Sequence, residues 1–171
     1  CKGFGMTVLG SDPYPNQKLI TEEHVVDAYV SNEELFARAD LISLHAFLNE
    51  ESYHMINDDT IASMKDGVIF INTGRGGLVD THALIRGILS GKIGAAGLDV
   101  YEEENPNVYR DRTDEIFDSP TAQLCSFPNV VITSHQAFFT REALAQIAHT
   151  TLANAHAYAT DKNFIESSIV C

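Results

Sequence analysis

An arginine, a run of carboxylates and a histidine stand in this sequence where reaction chemistry would need them. Asn72-Thr73-Gly74-Arg75-Gly76-Gly77-Leu78-Val79-Asp80 follows an apolar run. Its small residues let the backbone come close to a ligand, and Arg75 presents a planar fork of donors suited to a carboxylate. Taken alone, an arginine held in a surface ion pair would read the same way. Gly97-Leu98-Asp99-Val100-Tyr101-Glu102-Glu103-Glu104 ends another apolar run in acids, and Thr133-Ser134-His135-Gln136-Ala137-Phe138 ends a further one in a histidine. A histidine beside a carboxylate is the arrangement of a general acid/base, because the carboxylate fixes the tautomer and favours imidazolium. Acidic runs are usually solvated faces and single histidines usually structural. The histidines at 24, 45, 54, 82, 149 and 156 are read as structural, and among them only His45 follows an apolar run.

The elements that must position these residues follow from periodicity and caps. Met6 to Gly10 reads as a buried parallel strand ending in a Ser-Asp-Pro loop. Ser31, with Glu34 three residues on, makes a capping box for a helix stopping near Asp40. Leu41 to Leu44 is the next strand. Asn57 or Asp58 caps a short helix through Met64, and Gly67 turns the chain into a strand over Val68 to Ile71. Asp80 opens a helix with Ala83, Leu84, Ile88 and Leu89 at helical spacing, closed at Gly91. Ile93 to Leu98 and Val130 to Ile132 are further strands, and a long helix runs from about Thr140 to Tyr158. Strands alternating with amphipathic helices predict right-handed βαβ units and a doubly wound, Rossmann-type α/β fold, its parallel sheet covered on both faces. Ligands of such sheets lie beyond the C-terminal strand ends. That edge holds Asp12, His45, Thr73 to Arg75, Asp99 to Glu104 and His135. An acid at position 12 suits the hydroxyls of an adenosine ribose and repels a 2'-phosphate, although Asp before Pro is also ordinary turn chemistry. The Gly-rich phosphate fingerprint that would precede Asp12 by one helix is not in the sequence. Cys1 to Gly5 reads as the end of a helix, with Gly3 or Gly5 as its C-cap, and the fingerprint is expected upstream of it.

Composition narrows the class. The chain has 171 residues, 44% hydrophobic and 20% charged, enough for one domain with a sizeable core. Acidic residues outnumber basic ones 24 to 11, which argues against nucleic acid or an anionic membrane as a partner. No apolar run is long enough to span a bilayer and no signal segment opens the chain, so a cytoplasmic location is expected. Cys1, Cys125 and Cys171 are odd in number and lack a Cys-x-x-Cys spacing, so they suggest neither a disulfide framework nor a metal site.

The series NTGRGGLVD, GLDVYEEE and SHQAFFT resembles the signature of the NAD-dependent D-2-hydroxyacid dehydrogenases, and the resemblance covers nearly the whole chain. It implies that Arg75 binds the substrate carboxylate and polarises its carbonyl, that Glu104 is the acid of the pair, and that His135 exchanges the proton. It also implies NAD as cofactor, with Asp12 on the ribose and Thr73, Gly74, Arg75, Asp99 and His135 lining the nicotinamide end. Where the family commonly has a proline after the residue at His45, this chain has Ala46-Phe47, and His45 and Ala46 take those cofactor contacts. The stretch from Asp99 to His135 and the His-Gln-Ala-Phe-Phe-Thr sequence are similar to the D-lactate branch. That similarity implies hydride transfer between NADH and pyruvate, with Phe138 walling a methyl-sized pocket or serving simply as core. The alternatives are a bulkier 2-oxoacid, or a dinucleotide-sensing, corepressor-like regulator on the same fold. The same resemblance implies an incomplete NAD-binding domain over 1–137, a C-terminal portion of the substrate domain over 138–171, and a homodimer or higher homo-oligomer. The apolar 80–90 helix suits such an interface but equally suits a core.

Overall fold

The computed structural model describes residues 1–102 and 119–160. The chain divides into compact units, Cys1–Ser134 and His135–Cys171. In the first unit, β3 (Leu41–Leu44), β4 (Val68–Asn72), β5 (Ile93–Leu98) and β6 (Val130–Ile132) form a parallel sheet in the order β3-β4-β5-β6. Helices α2 (Asn32–Arg38), α3 (Asp58–Ser63), α4 (Thr81–Leu89) and α5 (Pro120–Ser126) alternate with these strands. The architecture is Rossmann-type α/β.

Strand period and register explain the core. In-register rows Ile42-Phe70-Ala96-Val130 and Leu44-Asn72-Leu98-Ile132 point to one face. There they meet Phe36, Ile61, Leu84, Ile88 and Leu124 from the helices. Helices α2 to α5 all pack on this one face. Ile69 is 42% and Val131 68% exposed on the other face. The reason is topological: right-handed crossovers that step always in one direction along a sheet deliver their helices to the same face.

Local signals account for the helix boundaries. The Asn57 side chain accepts from the Thr60 amide while the Thr60 hydroxyl accepts from Asn57, closing a capping box on α3. Asp80 accepts from the amides of His82 and Ala83 at the start of α4, and Gly91 follows that helix at φ 78°, a left-handed position suited to glycine. The box expected at Ser31 is half made. Ser31 accepts from the Glu34 amide, but the Glu34 carboxylate turns forward to pair with Arg38 one helical turn on. Gly5 does adopt the left-handed C-cap conformation, after a 3-10 turn over Lys2–Phe4.

The first strand is shorter than expected. Only Leu9–Gly10 (β1) pairs, with β2 (Ala28–Tyr29), in a separate parallel pair, and Met6 is exposed. The Asp27 carboxylate takes the amide of Val8 at 2.7 Å while the Asp27 amide donates to the Val8 carbonyl at 2.8 Å, so a side chain and a backbone group share the pairing there. Neither β2, nor α1 (Lys18–Thr21), nor α5 was expected from periodicity, because each is only one or two turns or a residue pair long. In the second unit α6 spans Arg141–Ala159, capped by Thr140, and Phe138 meets Phe139 edge to face. Among the described residues no helix is long and apolar enough to cross a membrane.

Phe70 is fully buried in the central row, so Phe70→Ala should destabilise the protein by about 3–5 kcal/mol in urea unfolding, whereas Val131→Ala on the open face should stay within about 0.5 kcal/mol. Equal losses would show that the open face is covered in solution.

Candidate active site

Because β3 to β6 are parallel neighbours, the segments that follow them emerge along one edge of the sheet. After β3 comes His45, whose Nε2 lies 2.9 Å from the Ser43 hydroxyl; Ala46 and Phe47 beyond it are exposed. After β4 comes the Arg75 segment. Asn72, 1% exposed at the end of the strand, accepts from the Gly74 amide at 3.1 Å and donates its amide to the Arg75 carbonyl at 3.0 Å. This side chain fixes the turn that carries Arg75. Arg75 is exposed, and one nitrogen of its guanidinium donates to the Gly74 carbonyl at 2.9 Å. Thr73 is exposed beside it.

The glycines of the segment differ in what surrounds them. A Cβ on Gly74 would meet nothing closer than 3.6 Å, whereas one on Gly76 would lie 2.3 Å from the carbonyl carbon and oxygen of Tyr101. Gly76 therefore admits the chain's own backbone, and it is this contact that brings the segments after β4 and β5 together.

After β5 comes Asp99, the first acid of the run. Asp99 is buried, donates its amide to the Asn72 carbonyl at 2.9 Å, and accepts a short hydrogen bond from the Thr133 hydroxyl just beyond β6. Glu102 is held on both carboxylate oxygens. One faces His54 Nε2 at 2.6 Å, and the other accepts from the amide and hydroxyl of Thr81 at 3.0 and 2.8 Å. Burial pushes the Glu102 carboxyl up, but the hydrogen bonds from His54 and Thr81 outweigh it and hold the group below the ordinary carboxylate range. Asn72, Glu102 and His54 were not singled out from sequence. A polar residue closing an apolar strand marks Asn72, but nothing local marks a pair 48 residues apart.

Glu104 lies outside the described residues. His135 opens the second unit at φ 53°, a left-handed conformation, and Phe138 is half exposed ahead of α6. Asp12, beyond β1, accepts from the Tyr14 amide at 2.7 Å, so the turn reading of this residue is realised. The same bond holds the carboxylate in place, a fixed anionic acceptor of the kind a ribose diol needs.

A parallel sheet with an exposed arginine, a buried aspartate and an exposed aspartate beyond its strand ends is the arrangement of a dinucleotide-binding α/β domain. Residues 1–137 match the family model described as D-isomer specific 2-hydroxyacid dehydrogenase, NAD binding domain, and the chain belongs to that family. It is similar to 2-hydroxyacid dehydrogenase homolog 1 of Schizosaccharomyces pombe, 48% identical over 162 residues that make up 94% of this chain and 48% of that protein. The aromatic 2-oxoacid reductase of Clostridium sporogenes is 46% identical over 154 residues, 89% of this chain and 45% of that one. The crystal structure of a D-lactate dehydrogenase from Treponema pallidum superimposes with a TM-score of 0.81 at 37% identity, covering 95% of this chain and 48% of that one. The chain spans about half the length of the curated relatives it matches.

A depressed carboxylate pKa stabilises the fold above the group's unfolded value, about 4.3, and that stabilisation is lost as pH falls through the folded value. Glu102→Gln should therefore lower stability by a constant amount at neutral pH, and the gap to the parent protein should close progressively below about pH 5. Urea unfolding from neutral pH downward measures it, and a gap independent of pH would show that Glu102 is not held as an anion.

Proposed function

We propose that the full-length protein is an NAD-dependent D-2-hydroxyacid dehydrogenase that interconverts a small 2-oxoacid, pyruvate in the first instance, and its D-2-hydroxyacid. The observation that carries this reading is the exposed guanidinium of Arg75, set by Asn72 at a strand end within a domain of this family. Arg75 binds the substrate carboxylate through its donor fork and polarises the neighbouring carbonyl. His135 gives a proton to the carbonyl oxygen during reduction and takes it back during oxidation, with Glu104 favouring the imidazolium. The nicotinamide supplies or accepts the hydride when bound. Thr73, Gly74, Asp99 and His135, with His45 and Ala46 from the end of β3, line its nicotinamide end, and Asp12 holds the ribose. Residues 1–137 are assigned to the NAD-binding domain and 138–171 to the C-terminal portion of the substrate-side domain. The protein works as a homodimer or higher homo-oligomer.

A bulkier substrate is the second reading, favoured by the 46% identity to a reductase named for aromatic 2-oxoacids. Phe138 is the residue on which the choice turns, since an aromatic wall restricts a pocket to a methyl group or stacks on a ring. Rates of NADH oxidation with 2-oxoacids bearing methyl, branched and aromatic side chains separate the readings. A preference for pyruvate supports the first, a preference for the aromatic acid supports the second, and no turnover of any of them refutes both.

Arg75→Lys keeps the charge but removes the fork, so kcat/KM for pyruvate should fall by about 100-fold or more while the KM for NADH changes little. Unchanged pyruvate kinetics would remove Arg75 from the site.

Asp12→Ala should narrow the preference for NADH over NADPH, because the carboxylate no longer repels the 2'-phosphate. If the parent enzyme already used both equally, Asp12 would have another role.

A further inference from the structure

We propose that Glu102, gripping His54 with one oxygen and Thr81 with the other, is a positioning residue that holds the Arg75 segment in register for the 2-oxoacid. This inference rests on the assignment of Arg75 as the carboxylate-binding group. The segment after Arg75 lies between two others. On one side, the His54 amide donates to the Gly77 carbonyl at 2.9 Å, the Ile56 amide donates to Leu78 at 3.0 Å, and the Asp80 amide donates back to Ile56 at 2.9 Å. On the other, Gly76 presses against the backbone of Tyr101. Glu102, next to Tyr101 on the second flank, ties that flank to the first and to the end of the segment: its carboxylate reaches the His54 ring from the 49–57 loop and the amide and hydroxyl of Thr81, the first residue of α4.

The supporting geometry is specific to these side chains. His54 sits at φ 51°, in the left-handed region where histidine, asparagine and aspartate are the better tolerated side chains. The Tyr53 ring stacks on its imidazole with centroids 3.9 Å apart and planes 17° from parallel, which orients Nε2. The Asn57 side chain donates to the His54 carbonyl at 3.0 Å. Side-chain exposure is only 31% for His54 and 25% for Glu102, so water competes weakly for the bond. Upstream of Arg75, Asn72 holds the turn. Downstream, the carboxylate clamp does. An arginine fixed on one side only would lose the aim that bidentate recognition requires.

The test uses His54→Asn in the full-length protein, since asparagine accepts the left-handed backbone but is too short to reach Glu102. Hydrogen exchange at the amides of Leu78, Val79 and Asp80 should accelerate, and the KM for pyruvate should rise about tenfold with the KM for NADH within about twofold. Thr81→Val, which removes the hydroxyl donor, should do the same, and Thr81→Ser should restore parental behaviour. In an Arg75→Lys background the His54 substitution should have little further effect on pyruvate, because the device acts through Arg75. Unchanged exchange would overturn the clamp. Faster exchange with unchanged pyruvate kinetics, or effects that multiply fully with Arg75→Lys, would overturn its role in positioning Arg75. Failure of the parent enzyme to reduce any 2-oxoacid would instead reject the functional reading and with it the substrate role, while exchange would still report whether Glu102 holds the segment.

Discussion

The parallel ladder from β3 to β6, stepping always in one direction, is the constraint on which the rest of the first unit depends. Parallel strands place all their C-terminal ends on one edge, so segments far apart in sequence leave the sheet side by side. The same ladder sends α3, α4 and α5 to a single face. It therefore dictates both where the core lies and where the loops that carry the chemistry begin. Loop geometry is then a matter of what each strand's last residue does with its side chain. Asn72 is spent on the turn holding Arg75, and Asp99 on the strand that follows through Thr133.

Packing between these loops is tighter than a ligand-binding edge needs for its ligand alone. Gly76 has no room for a side chain because Tyr101 occupies the space, and the resulting contact leaves Glu102 within reach of Thr81 and His54. The loop bearing the exposed arginine is thus backed by buried, hydrogen-bonded backbone, which is how a long, flexible side chain can present its fork in a defined direction. A glycine that serves internal packing and one that serves a ligand look identical in a sequence. Only the neighbour across the gap distinguishes them.

That distinction marks the limit of what could be read from the residues alone. β3, β4, β5 and β6, the caps at Asn57 and Asp80 and the start of the long helix near Thr140 were legible because their signals are local: an apolar run, a capping side chain, a glycine at the right offset. The Arg75 motif was legible for the same reason. Helix α5 carried a local signal too, Ser119 as cap with Pro120 in the first turn, but it spans only two turns and shows no periodicity to draw attention. β2 and the shortness of β1 were not legible, since the pairing at Val8 is shared with the side chain of Asp27, 19 residues away. The one-sided burial of the sheet depends on strand order, which no window of sequence contains. His54 read as an ordinary structural histidine, and structural it is, but as half of a pair whose other member lies 48 residues on.

The acidic run at 99–104 shows how position on a strand end sorts chemically identical groups. A run of carboxylates on an acidic chain is most simply a solvated face, and each acid would then be free to titrate in water. Asp99 and Glu102 are not used that way. The first is buried and accepts from the Thr133 hydroxyl, and the second accepts from the His54 ring and from the amide and hydroxyl of Thr81. Such donors cost an acid its availability as a proton carrier, because every bond to the anion moves protonation further from neutral pH. A carboxylate meant to tune a histidine must keep an oxygen for that histidine. The chain two residues after Thr133 reaches His135, so the bond from Thr133 to Asp99 also anchors the strand end from which that histidine departs.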